Sequence, residues 1–317
     1  LNSTFAQTPF NNGGAPLSSS YQNHPTRGEY IAWDTSKVTN MNQTFFNYSR
    51  DNSNPNPGFN QDINNWDTSN VTTLLGTFSG INNTHTASFN QDISTKQVTI
   101  GAGTSLARTY NAWDVSKVET FGNTPLYERS ADVQLGMFAH NPYFNQPIGN
   151  WQINTGSDID VSLKFMFYYN TAFNQNISSS IVTVGSKTYT AWDTKRVNNL
   201  YGTFGESNFN KPIGNWNLTN VKTMRLMLSF NPNFNQDISA SVQTVGSETY
   251  NAWYFPDNAS LQSVLYNAQS FSKPIGNWNI SNVTEFQSAF HNNYLNNSSF
   301  ATQSVNLHSG VSYTSWD

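Results

Sequence analysis

Apolar and polar positions recur along the chain in a pattern that is clearest in the stretch Phe209–Phe234. This stretch opens with Phe-Asn, passes through a Pro-Ile-Gly turn to Trp216, and ends at a second Phe-Asn pair. Apolar residues then stand at Val221, Met224 and Leu228, a spacing of i, i+3 and i+7 that is typical of one helix face. The rest of the chain is this unit repeated, lengthened or shortened, which predicts a repeat architecture.

Tryptophan marks the repeat most clearly, because all nine Trp residues fall at the equivalent position. Most are followed five residues later by Val, and then by two more apolar residues at helical spacing. The short polar residues just after Trp can cap the N-terminus of a helix, so each unit is predicted to contain one short helix. The nine positions are Trp33, Trp66, Trp113, Trp151, Trp192, Trp216, Trp253, Trp278 and Trp316.

The segment from Phe-Asn to Trp has a short and a long form, and the two forms alternate. The short form is a tight turn, as in Phe209–Trp216. The long form, as in Phe234–Trp253, ends in VQTVGSETYNAW, where two β-rich runs flank Gly-Ser and indicate a hairpin. We therefore predict a repeat solenoid of about nine turns, with short stacked parallel strands, one short helix per turn and a β-hairpin in alternate turns.

One continuous domain is expected over residues 1–317, because a solenoid grows in one dimension and escapes the usual size limit of a globular core. Residues 1–30 read as an irregular N-terminal half-unit, and residues 31–317 alternate short and long turns. Insertions at about 51–58 and 124–134 interrupt the pattern. Insertions in repeat proteins lie on loops that often form the binding face.

Asparagine is the characteristic polar residue, with about 47 copies in a chain of which only 11% is charged. Its side chain tolerates left-handed backbone and can hydrogen-bond to the same amide in a stacked neighbour. The Asn of each Phe-Asn pair is the best candidate for such a ladder, and these residues are Asn60, Asn90, Asn145, Asn174, Asn210 and Asn235. We interpret the six Asn and the nine Trp as structural repeat positions rather than ligand-binding residues.

Charge and composition narrow the range of partners. The formal net charge is −4 without a run of basic residues, which argues against nucleic acid. No apolar stretch approaches the roughly 18 residues of a membrane-spanning helix. The chain has no Cys, which excludes disulfides, thiol catalysis and zinc–thiolate sites from it. The start at Leu1 resembles a mature or trimmed N-terminus rather than a signal peptide.

The sequence offers no recognisable catalytic or cofactor motif. The five His lie in different units without metal-ligand spacing. Asp51, and Asp158 with Asp160, could contribute to Ca²⁺ loops, but solvated loops explain them better. The Asp after Trp suggests paired acids for glycoside hydrolysis, yet Gln152 and Tyr254 replace it elsewhere, which favours a capping role. We therefore expect no enzyme activity, no metal and no cofactor.

The strings FNQDI and WDTSNVT between Phe59 and Thr72, and TYTAWDT from Thr188 to Thr194, resemble the BspA-like repeat of mycoplasma-type bacterial surface lipoproteins. That repeat is related to leucine-rich repeats, so the resemblance implies a leucine-rich-repeat-like α/β solenoid. It also implies an exported, surface-displayed protein, with adhesion or interaction roles in some members. The chain departs from that pattern in lacking a lipid-attachment Cys and in carrying the two insertions.

These observations predict a non-enzymatic protein, extracellular or at the cell surface, that binds a protein or a glycan. The alternative is a structural subunit that self-associates end to end into a filament or surface layer, since both ends carry the same half-unit. A piece of a longer array would also explain those ends. A glycosidase is the least favoured hypothesis.

Overall fold

The computed structural model describes residues 17–47, 58–123, 135–153, 160–255, 259–295 and 300–316. The predicted insertions, apart from Gly58, and residues 1–16 of the predicted N-terminal half-unit lie outside these ranges. Within them the chain forms repeat units that stack on one another and consist of short strands and tight turns.

Sixteen short strands occur in the described ranges. In chain order they are β1 (Ser20–His24), β2 (Gly28–Ala32), β3 (Lys96–Ile100), β4 (Arg108–Ala112), β5 (Thr120–Asn123), β6 (Leu135–Gly136), β7 (Val161–Leu163), β8 (Ser180–Val184), β9 (Lys187–Ala191), β10 (Val197–Asn199), β11 (Ser241–Val245), β12 (Glu248–Ala252), β13 (Ala259–Ser260), β14 (Val283–Glu285), β15 (Ser304–Asn306) and β16 (Ser312–Thr314).

The strands form two kinds of small sheet. Five antiparallel hairpins, β1–β2, β3–β4, β8–β9, β11–β12 and β15–β16, occupy the long form of the repeat. A four-stranded sheet has the order β10-β7-β5-β6, in which β5, β7 and β10 are parallel, and β13 pairs with β14 in parallel. Isolated parallel bridges such as Asn199–Thr223 and Thr223–Ser260 continue this pairing from one unit to the next.

The predicted helix of each unit is wrong. The described residues contain no α-helix, and their helical content is confined to short 3-10 turns such as Thr194–Arg196 and His308–Gly310. The strands lie in small separate sheets rather than in the closed turns of a leucine-rich-repeat-like α/β solenoid. That prediction is therefore corrected to a helix-free repeat of strands and turns.

Two tight turns per unit take the place of the helix. In the first unit, Thr44 N–H donates to Met41 O at 3.3 Å and Phe46 N–H donates to Gln43 O at 3.3 Å. The residues between these bonds donate to the next unit instead, as Phe45 N–H does to Thr77 O at 3.0 Å. The turns require a left-handed residue, which cannot continue a right-handed helix. Such residues recur at Gln43, Gly76, Phe165, Gly202, Leu226, Ser263 and Ser288.

The buried apolar residues form one cluster that extends from Leu17 to Ala289. Within most units the Phe of Phe-Asn stacks on the last apolar residue of the turn segment, as Phe89 does on Phe78 with ring centroids 3.8 Å apart. Equivalent rings also stack between units, as Phe89 and Phe144 do at 6.2 Å. Aromatic packing of this kind adds to the free energy gained by burying the ring surfaces.

Candidate functional site

Eight of the nine tryptophans donate the indole N–H to a backbone carbonyl of a neighbouring unit. Trp113 Nε1 donates to Ile63 O at 2.9 Å, and Trp192 Nε1 donates to Ile148 O at 2.8 Å. The same bond is made by Trp66, Trp151, Trp216, Trp253, Trp278 and Trp316. Trp33 is 37% exposed and stacks on Trp66. These bonds use the one polar group of the indole, which leaves it nothing to offer a ligand.

The asparagines of the Phe-Asn pairs form a ladder along the stack. The Asn60 side-chain oxygen accepts the Asn90 backbone N–H at 2.8 Å, and the Asn90 oxygen accepts the Asn145 N–H at 3.0 Å. The ladder continues through Asn174, Asn210 and Asn235 to the backbone N–H of Ser272. Each side chain replaces a missing backbone partner between units.

A second set of amides, which sequence reasoning missed, anchors the hairpins. Asn215 Oδ1 accepts Ser179 N–H at 3.1 Å, and its Nδ2 donates to Ser179 O at 2.8 Å, so the amide pairs like a strand residue. The Tyr250 hydroxyl donates to the Asn215 carbonyl at 2.5 Å. Equivalent pairs are Asn65 with Tyr110, Asn150 with Tyr189 and Asn277 with Tyr313. The signal in the sequence is the Asn directly before each short-form Trp and the Tyr three residues before each of the later long-form Trp.

The acidic residues suggested for catalysis or Ca²⁺ binding are engaged within the fold. Asp67 and Asp114 accept the backbone N–H two residues later, which closes a turn rather than caps an α-helix. Asp160 accepts from Asn198 and Asn220, both at 2.9 Å, and faces Arg196. Asp51 and Asp158 lie outside the described residues. In the described part of the chain no three His, Asp or Glu side chains converge on a possible metal position.

The outer surface of the stack carries a different kind of cluster. Lys164, Tyr201 and Arg225 occupy the same position in three consecutive units, and each lies between a fully buried residue and a left-handed one. Backbone bonds hold these units in register, from Phe165 N–H to Tyr201 O at 2.8 Å and from Gly202 N–H to Arg225 O at 2.9 Å. The three side chains therefore form a column on the surface.

Cationic groups flank the middle residue of this column. The Lys164 Nζ lies 4.9 Å from the centroid of the Tyr201 ring, and the Arg225 Cζ lies 5.3 Å from it. The half-buried Tyr168 extends the aromatic surface, and the buried Phe165 ring supports it from below, 4.7 Å from Tyr201 and 5.4 Å from Tyr168. We call Lys164, Phe165, Tyr168, Tyr201 and Arg225 the cation–tyrosine patch. Contacts between a cation and a ring of this kind are each worth about 0.5–1 kcal/mol at a surface.

Two glycines make room for the rings of the patch. A Cβ atom on Gly202 would lie 2.4 Å from the Phe165 ring, and one on Gly205 would lie 3.0 Å from the Tyr168 ring. Because neither glycine has a side chain, both rings lie across the next unit. The Tyr168 hydroxyl there donates to the Glu206 carboxylate.

The charges of the patch repel one another. Partial burial lowers the pKa of Lys164, and the nearby Arg225 guanidinium lowers it further. Burial and the bond to Glu206 raise the pKa of the Tyr168 hydroxyl, which keeps it a donor at neutral pH. Arg225 is exposed and forms no salt bridge with any residue in the described ranges. The patch therefore offers positive charge, ring surface and hydroxyl groups together.

A family model now identifies the chain. The family described as Mycoplasma protein of unknown function, DUF285, matches residues 17–131, 102–188 and 182–303. The chain belongs to this family. The matches cover residues 17–303, which include eight of the nine Trp and the cation–tyrosine patch. No curated protein and no solved structure matches the chain.

Membership in DUF285 agrees with the mycoplasma part of the resemblance read from the repeat strings, and the family has no assigned function. None of the helical segments in the described ranges of this DUF285 chain has the length and apolar character that crossing a bilayer requires.

Proposed function

We infer that this DUF285 chain is a non-enzymatic binding protein, extracellular or at the cell surface, that attaches to a protein or glycan through the cation–tyrosine patch. The observation that carries the proposal is the column of Lys164, Tyr201 and Arg225, which is presented on a rigidly bonded stack of units. Exposed aromatic and Arg side chains dominate the binding energy of many protein surfaces.

The other recurring polar groups form hydrogen bonds within the fold, which supports this choice of surface. The amides of the ladder and of the hairpin anchors are bonded within the fold, and so are the turn carboxylates. The patch differs because its Arg side chain is exposed and lacks an ion pair among the described residues. The BspA-like resemblance fits the same role, since it implies adhesion or interaction roles in some members of that family.

A printed array of glycans and extracellular-matrix proteins tests this function. Wild-type protein is compared with Arg225→Ala and with Lys37→Ala, because each variant removes one positive charge from an exposed side chain and only Arg225 belongs to the patch. We expect a signal that is lost in Arg225→Ala and kept in Lys37→Ala. An array without any signal, or one on which both variants bind like wild type, contradicts the proposal.

The competing structural role, end-to-end self-association into a filament or surface layer, makes a different prediction. Light scattering of purified protein over a range of concentrations would reveal growing particles. We expect the scattering mass to stay constant, because binding through the cation–tyrosine patch does not require contacts between copies of the chain.

A further inference from the structure

We propose that the cation–tyrosine patch binds an anionic polysaccharide, with a carboxylate or sulfate group paired to the Arg225 guanidinium beside the Tyr201 ring. This inference rests on the proposed function and names its ligand class. It follows from three properties of the column, which are its charge, its spacing and the polar groups that continue it.

The charge of the column favours an anionic ligand. Lys164 and Arg225 approach the same tyrosine ring at 4.9 and 5.3 Å, so two positive charges lie beside one ring. Their repulsion, together with partial burial, disfavours the protonated form of Lys164. An acidic group paired with Arg225 offsets that repulsion, and Arg225 is open to it because it is exposed and forms no ion pair with a described residue. Arg also pairs with carboxylate and sulfate oxygens through two parallel hydrogen bonds.

The spacing of the column favours a sugar chain over a peptide. Parallel bridges keep the units in register, so equivalent side chains recur at the strand separation of about 4.8 Å. That rise is close to the length of one pyranose ring along an extended polysaccharide. An extended peptide advances about 3.3 Å per residue, which does not place equivalent groups in register with successive units.

Amide groups continue the column beyond Arg225. Gln262 and Gln287 occupy the same position in the next two units, and Gln262 Nε2 donates to Gln287 Oε1 at 3.3 Å. Amides and the Tyr201 hydroxyl donate and accept hydrogen bonds, which suits sugar hydroxyls. The column therefore offers positive charge for acidic groups and neutral polar groups for the sugars that follow them.

Calorimetric titration of the full chain tests the ligand class. The probes are dextran sulfate, hyaluronan, neutral dextran and polyglutamate. We expect dextran sulfate or hyaluronan to bind, with dextran and polyglutamate at least about tenfold weaker, and the affinity to fall as salt rises. Binding of dextran sulfate but not hyaluronan would assign a sulfate group, and the reverse a carboxylate.

Charge variants locate the binding. Arg225→Ala should lower the affinity for the polysaccharide about tenfold, because it removes a charge-assisted contact, and Arg225→Glu should abolish binding. Lys37→Ala, far along the chain from the patch, should bind like wild type. The side chain of Arg225 is exposed, and thermal unfolding curves will verify that each variant is folded.

Two results overturn the inference. One is polyglutamate binding as tightly as the acidic polysaccharides, which would indicate an acidic protein partner. The other is the absence of any polysaccharide binding that depends on Arg225. If the array still shows an Arg225-dependent protein partner, only the ligand class is wrong, whereas an array without signal removes the proposed function itself.

Discussion

Asparagine amides take the place of backbone groups at three kinds of position. Asn60 Oδ1 accepts the backbone N–H of Asn90 in the next unit. Asn215 both accepts from and donates to Ser179 at the base of a hairpin. Asn217 closes a turn by accepting the N–H of Thr219 at 3.2 Å. A carboxylate serves the first and third roles but not the second, because only an amide offers a donor and an acceptor side by side.

The hairpin anchor gives the sharpest test of this difference. Asn215→Asp replaces the Nδ2 donor with an oxygen that faces the Ser179 carbonyl, now 2.8 Å from Nδ2. We expect a loss of about 1–3 kcal/mol in the free energy of unfolding, because a buried acceptor loses its partner and meets a like partial charge. Hydrogen exchange should rise first in β8 and β9. Chemical denaturation and exchange mass spectrometry measure the two effects.

The matched control for Asn215→Asp is Asn83→Asp, which makes the same chemical change at an exposed loop residue. Its free energy of unfolding should stay within about 0.5 kcal/mol of wild type. Equal effects of the two variants would show that the amide pair does not anchor the hairpin.

His140 makes the stability of the protein depend on pH. Burial lowers its pKa from 6.5 to about 4, and its ring packs near Tyr168 and Tyr169. As the pH falls below 6.5 the unfolded chain takes up a proton that the folded chain refuses, so stability declines between pH 6.5 and about 4. The full difference amounts to about 3 kcal/mol.

The variant His140→Asn should flatten the decline of the melting temperature between pH 7 and 4.5. Asn tolerates the left-handed backbone of position 140, as it does at the equivalent Asn267 and Asn292. The exposed residue His24 supplies the control, and His24→Asn should retain the wild-type decline. A decline that is the same in all three proteins would contradict the role of His140.

At the scale of elements, each unit shows why apolar spacing alone predicted a helix. The spacing of Val221, Met224 and Leu228 matches one helix face, and all three residues are buried as expected. However, Leu226 has a φ of 55°, and its N–H bonds to the next unit at 3.0 Å rather than to an earlier residue of the same segment. Gly marks this position in only some units, so the sequence carries no constant signal of the turn.

The hairpins could be predicted from the sequence, because the residues that determine each hairpin are close neighbours in the chain. The strands β8 and β9 flank Gly185-Ser186, and β11 and β12 flank Gly246-Ser247, at the Gly-Ser steps where the β-rich runs meet. A turn of two residues with a left-handed Gly is encoded within a few neighbouring residues. Pairing between units is not encoded in that way, since the partners lie tens of residues apart.

The cation–tyrosine patch was beyond sequence reasoning for the same reason. Its column position holds Lys164, Tyr201 and Arg225 in three units but Asn42 and Leu75 in others, so no single residue type marks it along the chain. Only the register of neighbouring units brings Lys164 and Arg225 to the Tyr201 ring. The Trp and Asn positions, in contrast, stand out because the same residue type recurs.

Two left-handed glycines separate backbone strain from steric fit. Gly202→Ala should destabilise the protein by about 1–2 kcal/mol for the left-handed backbone, and by a further 1–3 kcal/mol because the new methyl group overlaps the Phe165 ring. Gly103→Ala should show only the destabilisation from the left-handed backbone, since nothing lies within 4 Å of the added Cβ. Equal losses on chemical denaturation would show that the ring yields freely and that Gly202 is not needed for the patch.

At the scale of the whole molecule, the stack is held by bonds and ring contacts that reach neighbouring units. Trp253 and Trp278 stack with ring centroids 5.7 Å apart, and Trp253 N–H donates to Trp216 O at 3.3 Å. Trp113 lies several units away from Trp253 and makes the same kinds of bond to its own neighbouring unit, at Trp66 and Ile63. Because each unit is coupled mainly to the next, a change should be felt locally and should fade along the stack.

Double substitutions of tryptophan by phenylalanine measure this range of coupling. Each of Trp113→Phe, Trp253→Phe and Trp278→Phe removes an indole bond and leaves a small cavity, for a loss of about 2 kcal/mol. The pair 253 and 278 shares a ring contact, so its losses should depart from additivity by about 0.5–1.5 kcal/mol. The pair 113 and 253 should add within about 0.5 kcal/mol. Denaturation followed by far-ultraviolet circular dichroism gives the free energies, and strong coupling of the distant pair would show that the stack unfolds as one indivisible core rather than unit by unit.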